Sequence, residues 1–179
     1  MEFSPFIDVF GRAANDYGSG ISTETGGFTE TVVSAFGVPV RVDRLIDDIN
    51  ADEYAGLAIP GGFEEYAYYE QAYDERLSAL IRKFNDNRAF IASVCVGALV
   101  LGRSGILKGR RATTYCFDNG KRQSQLTGFG AEVSEERVVR DGNIITTCCP
   151  EAAPDAAFMP LGALWGEDNM NRVKAAMGF

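Results

Sequence analysis

Two short, almost continuously apolar runs set the strongest limit on how this chain folds. "GLAIPGG" occupies residues 56–62 and "AFIASVC" residues 89–95, and each ends at glycine or a turn. A strand with one wet face alternates apolar and polar residues, whereas a run without alternation must be covered on both faces, as in a parallel sheet flanked by helices. Between them, "EQAYDERLSALIRKFNDN" (70–87) places Ala72, Leu77, Leu80, Ile81 and Phe84 on one helical face and charges elsewhere. The three pieces predict one β-α-β unit with a right-handed crossover.

The same logic extends along the chain. After Cys95 a small-residue helix is expected to run to about Ser104, with Gly105 as its stop signal. Ser4-Pro5 opens a helix whose apolar face is Phe6, Val9, Phe10 and Ala13. Weak alternation over 18–50 predicts short strands, and "RATTYC" another. "RVVRDGNIITTCC" reads as a hairpin turning at Asp141-Gly142 or Gly142-Asn143. "PDAAFMPLGALWG" is a closing helix with Pro154 near its first turn, and Pro160 predicts a kink or a late start. No linker, repeat or low-complexity stretch interrupts 1–179, so one α/β domain is expected.

Charge and cysteine content narrow the function. With 25 acidic against 17 basic residues, the net charge is -8, and no basic stripe is visible. That balance argues against nucleic acid or an anionic membrane as partner. There is no 18-residue apolar run and no basic segment in "MEFSPFIDVF", so neither a membrane span nor a signal peptide is expected, and the cytoplasm is the expected location. The four cysteines, Cys95, Cys116, Cys148 and Cys149, do not have the spacing of a disulfide framework. Without a CxxC pair or any histidine, no metal site is expected. Adjacent Cys148 and Cys149 could pair only in a strained ring and read as free thiols at a strand end.

Cys95 is the candidate nucleophile. Ser93-Val94-Cys95-Val96-Gly97 has small residues two before and two after the cysteine, as a sharp strand-to-helix elbow requires. The helix N-terminus beyond it is expected to favour thiolate and lower the thiol pKa. The plainer reading is a buried small hydrophobe. Gly61 and Gly62, ending the preceding strand, allow close backbone approach, and their N–H groups with that of Val96 could form an oxyanion hole; a simple strand-to-loop turn is the alternative. The aromatic stretch "YAYYEQAY" (66–73) follows as a pocket wall, a dimer contact or packing for the next helix. Glu64 and Glu65 read as solvated charges, and Asp118 as a turn former. Cys116 is either a strand-packing residue or a resolving thiol for Cys95.

Taken together, "AIPGG", "ASVCVGALVLGRSGILKGRRATTY", "DGNIITT" and "PDAAFMPLGALWG" resemble the ThiJ/PfpI superfamily, which includes deglycases, glyoxalase III enzymes, PfpI-type proteases and isonitrile hydratases. The wording around Cys95 is most similar to the isonitrile-hydratase branch and to amidase-like domains of transcription regulators. The resemblance implies a flavodoxin-like three-layer sandwich with a mostly parallel sheet, usually a homodimer, needing no cofactor. It implies Cys95 as nucleophile, acting on a small-molecule substrate, with Glu2 as the acid from the start of the first helix. Gly62 and Val96 would hold the oxyanion, and Gly61 and Tyr115 would line the pocket. Tyr115 stands where the family histidine falls, so a Cys-His dyad is absent and peptidase chemistry is not expected. Isonitrile hydration or α-oxoaldehyde conversion remains open, as does a non-catalytic redox-sensing or ligand-binding role. The resembled fold also has a strand before the first helix. Its place is expected to be taken by residues from 18–33 or by a partner chain, unless the start codon is set too far downstream.

Overall fold

The computed structural model describes residues 1–179. Ten strands are present: β1 (Gly26–Gly27), β2 (Thr31–Val33), β3 (Pro39–Arg41), β4 (Arg44–Leu45), β5 (Gly56–Ile59), β6 (Phe90–Val94), β7 (Arg111–Ala112), β8 (Glu132–Val133), β9 (Val138–Asp141) and β10 (Ile144–Thr147). Seven α-helices accompany them: α1 (Ser4–Tyr17), α2 (Tyr68–Ala72), α3 (Glu75–Asp86), α4 (Gly97–Ser104), α5 (Lys121–Gly128), α6 (Ala153–Trp165) and α7 (Glu167–Ala176).

The central sheet has the order β5-β6-β10-β9. β5 and β10 flank β6 in parallel, with Ile59 opposite Ser93 and Thr147 opposite Val94. β9 closes the sheet antiparallel to β10 through the expected hairpin, where Gly142 takes φ +62°. The non-alternating runs behave as their composition requires: Ile91–Val94 and all of Ile144–Thr147 are buried. Helices α1, α6 and α7 pack together on one face of the sheet, and α3, α4 and α5 on the other, giving the three-layer α/β sandwich. Ile81 and Phe84 of α3, Leu99 and Leu101 of α4, and Leu161 of α6 are fully or almost fully buried between the layers. Each such side chain contributes roughly 1.5–3 kcal/mol of transfer free energy. The Asp74 carboxylate caps α3 by accepting from the Arg76 N–H at 2.8 Å.

Three expectations are corrected. The strand in "RATTYC" is only Arg111–Ala112: the Thr113 N–H donates to Thr146 Oγ1 of β10, and Thr114 Oγ1 donates to the Cys95 carbonyl just beyond β6. Helix α6 starts at Ala153 and continues through Pro160, so a late start is not adopted. Most importantly, no segment from 18–33 joins the central sheet. β1 pairs only with β4, and β2 only with β3. That region is mostly exposed and has two glycines in β1, so it offers no apolar run that could be buried between strands. β5 is therefore an edge strand with Gly56 and Ala58 exposed. No helix is long and apolar enough to cross a membrane.

Candidate active site

β6 stops at Val94, and the next residue, Cys95, adopts φ +56°. A non-glycine residue held in this left-handed region costs on the order of 1–3 kcal/mol and persists only when its surroundings dictate it. Here they do. The Cys95 N–H donates to the Thr147 carbonyl at 3.0 Å, continuing the β6–β10 ladder, and the Cys95 carbonyl accepts from Thr114 Oγ1 at 3.0 Å. Gly97 lets α4 begin directly against β5, since a Cβ there would lie 2.6 Å from the Ile59 carbonyl oxygen. The small residue two positions after the cysteine is thus a steric necessity.

Glu2 comes to the same place from the opposite end of the chain. Its Oε2 accepts the Gly61 N–H at 2.5 Å, and the same carboxyl lies close enough to the Cys95 thiol for each group to shift the other's titration. A Cβ at Gly61 would lie 2.6 Å from that oxygen and 3.0 Å from the Val94 carbonyl, so glycine is what admits the carboxylate here. The residue one position from the N-terminus is therefore half-buried and bonded rather than a solvated end.

The electrostatics overturn one expectation. Burial, and next the Glu2 carboxylate, push the Cys95 thiol up to about 12, while the Val96 N–H aimed at the sulfur pulls the other way. A single helix-terminal donor does not offset the loss of water around a side chain only 7% exposed beside an acid. Glu2 is raised above its ordinary range by burial, against the lowering effects of the Gly61 N–H, the chain's amino terminus and Cys95. The two groups therefore compete for protons at one buried site: ionising either makes ionising the other harder.

The other expected residues are arranged around this pair. The Gly61 N–H is taken by Glu2, so Gly61 anchors the carboxylate and does not supply an oxyanion donor. The Gly62 N–H has no acceptor within the chain and remains available. Its alpha carbon lies against Tyr68, whose Cδ2 would be 2.3 Å from a Cβ at that position. Val96 points its N–H at the sulfur. Tyr115, half-buried, follows the Thr114 latch and packs edge-on against Phe117 at 5.6 Å between centroids. Sequence reasoning missed the supports: Tyr68 donates to the Pro60 carbonyl at 2.7 Å, and Thr114 and Thr147 grip the Cys95 backbone. The aromatic run at 66–73 and the paired threonines were visible, but not their partners. Glu64, expected to be solvated, is an exposed ion-pair acceptor for Lys121 and Arg122.

This fold and site have counterparts. The DJ-1/PfpI family matches residues 1–161. The Pyrococcus furiosus deglycase PfpI is 31% identical over 119 residues, which cover 66% of this chain and 68% of that protein. An isonitrile hydratase of Pseudomonas putida is 33% identical over 148 residues, covering 83% of this chain and 61% of its own length. An uncharacterised protein of Methanocaldococcus jannaschii is 32% identical over 121 residues, 68% of this chain, and the match spans 57% of that protein. In three dimensions Drosophila melanogaster DJ-1beta superposes with a TM-score of 0.84 at 24% identity, over 98% of this chain and 89% of that one, a likeness of fold alone. The chain belongs to the DJ-1/PfpI family.

Proposed function

We propose that this chain is a cysteine-dependent enzyme acting on a small electrophile, with Cys95 and Glu2 working as one proton-sharing unit. The observation that carries this reading is the convergence of a left-handed Cys95 and a buried, backbone-bonded Glu2. A thiol held this high reacts only if its proton leaves as the sulfur attacks, and the neighbouring carboxylate is the group placed to take it. No histidine is available for that task.

Isonitrile hydration fits this apparatus best. The sulfur adds to the terminal carbon of R–N≡C as the thiol proton passes through Glu2 to the same carbon, giving the thioimidate R–N=CH–S–Cys95. Water then adds to that carbon, the nitrogen gains a proton, and the C–S bond breaks. The products are the formamide R–NH–CHO and the free thiol. The Gly62 and Val96 N–H groups would stabilise negative charge developing in the addition steps, and Gly61 and Tyr115 would bound the substrate. The relative named isonitrile hydratase, matched over 83% of this chain, supports this reading. A second reading, conversion of an α-oxoaldehyde to a hydroxy acid, is favoured by the raised carboxyl, which suits proton transfer between adjacent carbons, and by the relative named deglycase. A homodimer and a cytoplasmic setting complete the proposal.

The test is turnover of an alkyl isonitrile and of methylglyoxal by the wild-type chain and by Cys95→Ala. Catalytic consumption of either compound, lost in the variant, is the expected result. Stoichiometric oxidation of Cys95 without turnover of either compound would instead assign the chain a redox-sensing role.

A further inference from the structure

The other three cysteines come together beside the elbow, although they are far apart in sequence. Cys148 and Cys149 follow β10 with their sulfurs 3.3 Å apart, and both are buried. Cys116 packs against the cluster formed by Cys148, Cys149 and Ala152, from the segment after Thr114. Cys116 is the partly exposed member, and Cys149 also lies 3.6 Å from Glu151 Oε1. The chemistry proposed for Cys95 uses none of them.

We propose that Cys116 and Cys148 form a peroxide-reactive dithiol that closes to an intrachain disulfide, with Cys149 as the adjacent exchange thiol. Partner choice follows from geometry. Adjacent residues in a trans chain hold their Cα atoms about 3.8 Å apart, short of the roughly 4.4–6.8 Å that an unstrained disulfide spans. Cys148 therefore pairs more readily with a cysteine on another segment than with its neighbour, and Cys116 is the one in contact. The hydroperoxide ROOH oxidises the accessible thiol, Cys116–SH, to Cys116–SOH and is reduced to ROH. The Cys148 sulfur then attacks the sulfenic sulfur, forming the S–S bond and releasing water that carries the Cys148 proton. Two equivalents of a small external thiol restore both cysteines and leave as their own disulfide.

The location gives the site its consequence. Cys116 lies two residues beyond Thr114, which holds the Cys95 carbonyl, and Cys148 follows Thr147, which holds the Cys95 N–H. The disulfide would covalently tie the two segments that hold the nucleophile in its left-handed conformation. This inference does not depend on what Cys95 catalyses, because its readout is a cross-link.

The experiment treats the native chain with a few equivalents of hydrogen peroxide, blocks remaining thiols with N-ethylmaleimide and maps the unreduced tryptic peptides. A link joining peptide 112–121 to peptide 141–172 is expected, with fragmentation placing it on Cys148. The link should be retained in Cys95→Ala and Cys149→Ser and lost in Cys116→Ser and Cys148→Ser. A Cys148–Cys149 disulfide with Cys116 free, or oxidation to sulfinic acid with no link, would overturn the assignment. The wild-type map decides the matter even where a variant fails to fold.

Discussion

The elbow and the region 18–50 are built on opposite principles. From Ile91 to Gly102 every residue is buried, and Cys95 is fixed by hydrogen bonds from two other segments. From 18 to 50 only Ile46 is buried, and the four strands have two or three residues each. That region is held at its surface. The Asp43 carboxylate accepts from both the Thr25 N–H and hydroxyl, and Glu24 accepts from Tyr54 and Arg44. A buried site that stores backbone strain needs every neighbour in place, whereas exposed polar contacts contribute little individually.

This contrast can be broken or sharpened by substitution. The largest effect is expected for Gly61→Ala, because the new methyl meets the Glu2 carboxylate and the Val94 carbonyl. Turnover should fall by about 10²-fold or more as the acid is displaced, which steady-state kinetics would measure. Thr114→Val leaves the Cys95 carbonyl without that donor in a buried setting and should destabilise the fold by about 1–3 kcal/mol in urea unfolding. Asp43→Ala removes two exposed hydrogen bonds and should leave the urea midpoint almost where it was, a far smaller shift than Thr114→Val gives, with activity unchanged. If Asp43→Ala proved as damaging as Thr114→Val, the distinction between the two regions would fail.

A pH-dependent effect sharpens it further. Glu2 is raised in the folded chain above its ordinary value of 4.5, so the folded state binds more protons than the unfolded state in the window above that value. The resulting stability is fully present below the unfolded pKa and is lost as pH rises through the folded one. Wild type should therefore lose stability relative to Glu2→Gln between pH 4.5 and neutrality, read as the difference between their melting temperatures.

Legibility in the sequence followed the same division. The β-α-β unit and the elbow were readable because unbroken apolar runs and a cysteine flanked by small residues express local demands of backbone and burial. The β9–β10 hairpin was readable from its turn residues. Glu2 was reached through family resemblance, since nothing in "MEFSP" by itself says that residue 2 meets Gly61, 59 positions away. The thiol's direction of shift was misread because a helix N-terminus is visible in sequence and desolvation is not. The place expected for a strand from 18–33 was misassigned for a related reason: weak alternation suggests a strand but does not say which sheet it joins.

The central claim is that Cys95 and Glu2 are one proton-sharing unit, and its most direct test is the alkylation rate of Cys95 against pH in wild type and Glu2→Gln. The tryptic peptide 89–103 carries Cys95 alone, so mapping isolates it from the other three thiols. Removing the carboxylate should move the thiol's titration down from about 12, while turnover falls. Superimposable titrations in the two proteins, or a higher midpoint in Glu2→Gln, would show that the carboxyl does not govern the thiol and would contradict the account.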